Sequence, residues 1–431
     1  MVKKVLALAA LLLGVSSVDT MAQSLSQLLP NLYGPEGLKV KSETPLPDGS
    51  NHSAHFNSSF QQSFTPFNAA LASQLAAVPL PSPASGFTYT LDSSLGVFKR
   101  STQSFGPILS DRADTVGRHK LSVGFSFQNF KFDSIDGLDL NSVPVVFNHD
   151  DPAVGGRSDL VTTANSIEMK LSQFTAFLNY GILDRLDVSL AIPVVSVDLT
   201  ATSVATIQRI GTTNPATHFF GNGKGDYGTQ ASFSSNGSQS GIGDIILRLK
   251  GTVYKQGGTG LALGGEVRLP TGDELNLLGS GATGLEGFLA FSSSHKTFSP
   301  HLKLAYQWNG DSVLAGDVNT GVKGDLPDQF FYEIGADLGV TKKLTLAVDF
   351  LGRTVIDGER LVGDTFRALN GTSTFPNVRF ETASFNIING AVGFKFNPGG
   401  NLLIDVNVLF KLNDTGLRDS VVPLVGFEYS F

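Results

Sequence analysis

From residue 119 to the C terminus, apolar and polar positions alternate with a period of two. In "LSVGFSF", Leu121, Val123, Phe125 and Phe127 alternate with Ser122, Gly124 and Ser126. In "DIILRLKGTVY", Ile245, Leu247, Leu249 and Val253 stand against Asp244, Arg248 and Lys250. In "GLALGGEVRLP", Leu261, Leu263, Val267 and Leu269 stand against Gly264, Glu266 and Arg268. "PHLKLAYQW" repeats the pattern, with Leu302, Leu304, Tyr306 and Trp308 opposed to His301, Lys303 and Gln307. Alternation of this kind predicts strands with one apolar and one polar face. Twelve such runs fall near 119–133, 164–181, 184–200, 241–256, 259–270, 282–294, 298–308, 328–340, 343–356, 381–397, 400–412 and 420–431. The last of them, "VVPLVGFEYSF", stops on Phe431. Chain ends fray unless tied down, so this strand needs a neighbour on each edge. Pairing with the first run would supply the second neighbour and leave no open edge.

The connections carry a second pattern. "GILD", "KQGGT", "HKT", "TK" and "NPGG" are short, and they alternate with long segments at 134–163, 201–240, 270–281, 309–327, 357–380 and 413–419. An even number of strands with short turns at one rim and long loops at the other predicts an all-β fold, a transmembrane antiparallel up-and-down β-barrel. Short turns would face the periplasm. About eight strands already bring barrel walls into contact, so twelve enclose a lumen that a polar row can line. The lumen-lining candidates are Asp244, Arg248, Glu266, Arg268, Glu286, Lys303, Glu333, Asp337, Asp349, Lys395, Asp405 and Lys411. Both signs occur in similar numbers, which leaves two readings open: ion pairs that make the wall compatible with water, or guidance of a cargo. The apolar row then meets lipid, and Phe127, Phe130, Tyr306, Trp308, Phe330, Tyr332, Phe394, Phe396, Phe427 and Tyr429 lie near strand ends, where an aromatic girdle belongs.

Residues 23–118 are different, rich in Ser, Asn, Gln and Pro, with one helical island at 65–78. Thr65 can cap it and Pro66 suits its first position. Phe67, Leu71, Leu75 and Val78 recur at helical spacing, and "PLPSP" ends the helix. These four are the plug-helix candidates, because an apolar stripe needs a partner. The segment is expected to lie in the periplasm or to plug the lumen, with a membrane-surface helix as the other reading. Ahead of it, Lys3, Lys4, the apolar run "VLALAALLLGV" and the small residues up to "TMA" predict a secretory signal peptide over 1–22. The run is too short for a membrane helix of ~20 residues.

Composition narrows the chemistry. The absence of cysteine in 431 residues excludes disulfides and thiolate catalysis, so an exported chain must be stabilised by a large core or a closed sheet. The net charge of −7 and the lack of a basic cluster argue against nucleic acid as a partner. "GSGATG" at 279–284 matches a dinucleotide motif, yet Leu285, Gly287, Leu289 and Phe291 continue with period two and no acidic residue lies between Glu286 and Asp311. It reads as a rim loop. None of the seven histidines forms an i, i+4 pair. Asp150, Asp151 and Asp159 in "NHDDPAVGGRSD" could together hold a divalent cation, although a solvated loop is the favoured reading. No catalytic, cofactor or metal residues are expected, and the chain is not read as an enzyme.

At "FGPILSDRADTVGRHKLSVGFSFQ" and at "GIGDIILRLKGTVY" followed by "GLALGGEVRLPTGDELNLLGSGATG", the chain resembles the outer-membrane barrels assigned to the MetA pathway of phenol degradation, over roughly 105–431. The resemblance implies a porin-like or transporter-like role near the breakdown of aromatic compounds. Phe427, Tyr429 and Phe431 also resemble the C-terminal signature that outer-membrane assembly machinery reads. The expectation is therefore a channel or transporter in the bacterial outer membrane for small hydrophobic or aromatic molecules. Its partners would be outer-membrane lipid, the cargo and the assembly machinery. The alternative is a structural or surface-interaction barrel acting through its long extracellular loops, with a hydrolytic barrel third.

Overall fold

The computed structural model describes residues 23–34, 37–45, 56–57, 65–77, 89–92, 97–100, 104–107, 109–149, 159–368 and 370–431. The expected signal peptide lies outside the described residues.

Twelve antiparallel staves form the barrel. They are β1 (Leu121–Phe132), β2 (Leu160–Leu183), β3 (Leu186–Gln208), β4 (Gln230–Ile242, continuing past Gly243 and Asp244 as Ile245–Gln256), β5 (Thr259–Leu269), β6 (Gly284–Ser293), β7 (Phe298–Asn309), β8 (Gln329–Thr341), β9 (Leu344–Arg367), β10 (Thr374–Gly399), β11 (Leu402–Lys411) and β12 (Val421–Ser430). Each pairs with the next, and β12 closes on β1 with Leu424 opposite Gln128 and Ser430 opposite Ser122. The final residue is tied as well, since the Phe431 amide donates to Leu121 O at 2.7 Å. Sheet closure satisfies the backbone groups that a hydrocarbon surround would leave unpaired.

Every expected strand is present, and several run further than the pattern indicated. β2, β3, β9 and β10 contain 24, 23, 24 and 26 residues, against the ~9–11 needed to cross a tilted bilayer. Two expected loops shrink accordingly, 201–240 to 209–229 and 357–380 to 368–373. The reason lies in the side chains. Below one level, apolar residues point out and polar ones in: on β2, Phe174, Leu178 and Tyr180 are exposed while Gln173, Thr175 and Asn179 are buried. Above it the sense inverts, with Ile167, Met169 and Leu171 buried and Glu168 and Lys170 exposed. β3 inverts between Val194, which faces out, and Val195, which faces in. Phe174 pairs with Val194, Val194 with Ile242, and Phe127 with Phe174, so the inversion occurs at one height across four neighbouring staves.

The lower zone is the membrane-spanning part. Phe127, Leu249, Leu263, Trp308 and Phe427 are about half exposed on its outer face, an apolar area far beyond what water tolerates on a monomer. The barrel resides in the bacterial outer membrane. Close packing on the outer face needs glycine at Gly352, where a Cβ would come within 1.9 Å of the Tyr332 ring. One girdle expectation is corrected. Phe130 sits above the inversion level and points inward, 2 % exposed, because the parity of β1 places its even-numbered residues inside.

The N-terminal segment occupies three heights within the ring. Leu25, Leu28, Leu29, Leu32, Tyr33, Leu38 and Val40 join the upper core with Val197, Leu199 and Ile207. Tyr33 Oη donates to Asn165 Oδ1 at 2.8 Å there. The helix α1 (Thr65–Ala76) lies lower. Residues 109–116 thread across the short-turn end, where the Val116 amide donates to Asp187, the Ala113 amide to Ser292, and Thr252 Oγ1 to Ala113 O.

Candidate functional site

Between α1, residues 109–111 and the wall lies a cavity of about 120 Å³. Its two sides differ in chemistry.

β4 to β8 supply a charged side. Alternation brings their inward residues into register, with Arg248 opposite Glu266, Glu266 opposite Glu286, and Lys303 opposite Glu333. Arg248 Nε donates to Glu266 Oε2 at 2.8 Å and Nη1 to Asp111 Oδ2 at 2.5 Å. Lys303 Nζ stands 3.2 Å from Glu286 and 3.7 Å from Glu333. The Phe288 ring lies under both cations, 5.0 Å from Arg248 and 5.4 Å from Lys303. Glu286 and Glu333 thus share Lys303, while Glu266 and Glu286, directly opposite one another, each have their own cation, the pairing a buried site requires.

β1 and β9 to β12 supply an apolar side: Phe130, Phe132, Leu351, Ile387, Leu409 and Val422, with Leu109 from the threading segment. The roof is the C-terminal end of α1. Arg268 Nη1 donates to Ala76 O at 2.7 Å, Arg353 Nη1 to Ala77 O at 3.1 Å, and Gln329 Nε2 to Ser73 O at 3.2 Å. Terminal helix carbonyls carry partial negative charge and lack intrahelical donors, so two guanidiniums and an amide satisfy them.

The plug-helix residues do not form the single stripe that their spacing suggested. Phe67 and Leu71 are buried and Leu75 is half-buried, while Val78 lies outside the described residues. Asn68, Ala69, Ala72, Ser73 and Ala76 are buried too, because the helix is enclosed on nearly every side. Small residues fit where the wall comes close, and Asn68 Nδ2 reaches Ser26 O at 3.1 Å.

The twelve lumen-lining candidates all lie on the inward parity, at three places. Arg248, Glu266, Glu286, Lys303 and Glu333 line the cavity. Asp337, Asp349, Lys395 and Asp405 lie nearer the short-turn rim. There His301 Nε2 is 2.7 Å from Asp349 and its Nδ1 3.6 Å from Asp337, and Lys395 is opposite Asp405. Asp244, Arg268 and Lys411 are nearer the long-loop rim. Asp244 accepts from Ser280 N and Oγ at 2.8 and 2.6 Å and holds the "GSGATG" loop inward. Lys411 pairs with Asp414 at 3.1 Å and Asp133 at 3.4 Å.

The suggested cation loop is corrected in part. Asp159 Oδ1 accepts the amides of Ile210, Gly211 and Thr212, and Oδ2 lies 2.8 Å from His218 Nδ1. Its acceptor capacity is taken up in fastening the 209–229 loop. Burial pushes the Asp159 carboxyl up, but the hydrogen bonds from His218 and the backbone outweigh it and hold it below the usual carboxylate range. Asp150 and Asp151 lie outside the described residues, and no group of three or more His, Asp or Glu suited to a metal occurs among those described.

Asp111, Phe132, Arg353 and Arg418 are cavity residues that the sequence pattern did not single out, and Phe130, expected in the girdle, joins them. Arg353 was within reach, sharing the parity of Asp349 on β9. Arg418 is the second residue of a two-residue strand, Leu417–Arg418, within a loop and gives no periodic signal.

A closed twelve-stave barrel with a lipid-facing outer band and a polar lumen defines the class: an outer-membrane β-barrel. Residues 149–417 match the family described as "Putative MetA-pathway of phenol degradation", and the chain belongs to it. No curated protein matches. Among solved structures, the chain is similar to the COG4313 outer membrane channel from Pseudomonas putida F1, at 11 % identity and TM-score 0.44, covering 75 % of this chain and 99 % of that one. It is similar to the Ralstonia pickettii toluene transporter TbuX at 12 % identity and TM-score 0.34, covering 73 % and 90 %. A Pseudomonas aeruginosa FadL homologue gives 9 % identity and TM-score 0.29, covering 72 % and 88 %.

Proposed function

We propose that this protein is a narrow channel that passes small hydrophobic or aromatic molecules across the outer membrane, with its N-terminal segment as the constriction. The observation that carries this reading is the two-sided cavity. On the charged side four carboxylates, Asp111, Glu266, Glu286 and Glu333, hold two cations, Arg248 and Lys303, each cation lying between two of them. The apolar side opposite it, with Phe130, Phe132, Leu351, Ile387, Leu409 and Val422, offers the surface on which an aromatic ring would pack. The family's link to aromatic degradation supports the same cargo class. The roof and floor are both N-terminal, so a solute must pass α1 and then residues 109–116.

Deleting residues 23–86 and recording single-channel conductance in planar bilayers tests the constriction. A clear rise in conductance is expected from a barrel that still shows heat-modifiable gel mobility. Unchanged conductance from such a barrel rules out the plug.

A further inference from the structure

The apolar side carries two arginines that the ion-pair network does not use. Arg353 on β9 and Arg418, ahead of β12, are 6 % and 3 % exposed, and both line the cavity. Three of their four terminal nitrogens donate to the protein. Arg353 Nη1 donates to Ala77 O at 3.1 Å and Nη2 to Gln74 Oε1. Arg418 Nη2 donates to Ile388 O at 2.8 Å and Asn389 Oδ1 at 2.6 Å. The Nε of each finds no acceptor among the described residues, and neither arginine is within ion-pair distance of a described carboxylate. The two flank one stretch of β10, because Ile387 lies opposite Arg353 and the next residue holds Arg418.

The remaining charges of the cavity make this pair distinct. Arg248 and Lys303 each have two carboxylate partners. Asp133, Asp414 and Asp419 lie within electrostatic range of Arg418 but beyond ion-pair distance; Asp133 and Asp414 pair with Lys411, and Asp419 accepts the Lys131 amide at 2.5 Å and the Val421 amide at 3.0 Å. Arg353 has no described carboxylate in range, so two buried guanidiniums line the apolar side and one of them lacks an anion altogether. A buried cation without an anion is costly, and a planar carboxylate matches a guanidinium better than a spherical ion does.

We infer that Arg353 and Arg418 form a carboxylate subsite, and that the cargo is a small aromatic acid whose ring packs on Phe130, Leu351, Ile387 and Leu409. This rests on the channel reading and names its substrate class. Calorimetric titration of the detergent-solubilised full chain with benzoate, benzyl alcohol and acetate tests it. Benzoate is expected to bind saturably, and Arg418→Gln and Arg353→Gln are each expected to weaken it about tenfold, the loss of one charged hydrogen bond. Benzyl alcohol, with the same ring and no charge, should bind both variants as it binds the wild type. Acetate should bind more weakly than benzoate. Arg418→Lys keeps the charge without the planar donor edge and should fall between wild type and Arg418→Gln. Heat-modifiable mobility identifies the variants that fold. Benzoate affinity unchanged in a folded variant of either arginine overturns the subsite, and acetate binding as tight as benzoate overturns the ring contact. Benzyl alcohol flux into proteoliposomes reads the channel separately. Flux with arginine-independent benzoate binding leaves the channel and removes the subsite, whereas arginine-dependent binding without flux does the reverse.

Discussion

The lower and upper parts of the long staves of this barrel have opposite polarity. On β3, Val188 and Val194 face lipid below while Asp187 and Ser189 face in; above, Val197 and Leu199 face in while Asp198 and Thr200 face out. The backbone pairing with β2 continues through the change without a shift. Strand geometry therefore does not distinguish a membrane stave from a soluble one. The solvent on each side decides which parity carries the apolar residues, and only the lower half has its apolar solvent outside. The ten residues Phe174–Leu183 rise about 25 Å at ~3.3 Å per residue and ~40° tilt, the height of a hydrocarbon band.

The sharpest way to break this comparison is to place a charge on each apolar face. Leu199→Asp puts an unpaired carboxylate into the upper core and is expected to cost about 3–5 kcal/mol, whereas Asp198→Leu, one residue away, should be nearly neutral. Urea unfolding followed by gel mobility reports both, and equal tolerance would show that the upper half has no dry core. In the lower half the sensitive parity is the other one. Leu304→Arg, on the lipid face, should cost about 2–4 kcal/mol near the midplane. The pattern alone makes Lys303→Leu harmless, but the structure predicts otherwise. Without Lys303, Glu286 and Glu333 lose their shared cation, and a loss of about 3 kcal/mol is expected, reduced in a Glu286→Gln background.

The orientation of the halves can be sharpened with surface protease on intact cells. Cleavage is expected within 209–229 and not at "NPGG"; cutting confined to the short turns would invert the assignment. The smallest effect concerns how that loop is fastened. Since hydrogen bonds depress the Asp159 carboxyl, its contribution is fully present above the ordinary carboxylate pKa of about 4 and is lost as pH falls through its lower folded value. Protease susceptibility of 209–229 should rise below about pH 4. Asp159→Asn should loosen the loop by roughly 1–2 kcal/mol at neutral pH.

Barrel closure and strand count were legible because lipid outside and a polar lumen give period two its greatest contrast. The upper extensions were not, since in "TATSVATIQ" and "QASFSSNGSQSG" Ser, Thr, Ala and Gly occupy both faces and the sense of the alternation reverses. The charged side of the cavity followed from parity, as Arg248, Glu266 and Lys303 are each offset by one residue from their strands' apolar rows. Asp111 could not be found in this way, because the threading segment has no regular structure and its partners lie more than 130 residues away on β4. The enclosure of α1 was also hidden, because a helix surrounded by wall needs no polar face.

The inversion level sets how a solute reaches the entrance. On β2 the chain from Leu160 to Gln173 stands clear of the hydrocarbon, roughly 35 Å at the same rise and tilt. The walls of β2, β3, β9 and β10 thus rise well above the lipid headgroups, whereas β5 to β8, of 11, 10, 12 and 13 residues, do not reach as far, so the rim is notched and not level. On the proposed channel reading, the tall side keeps the outer leaflet away from the entrance and favours a solute that arrives through water.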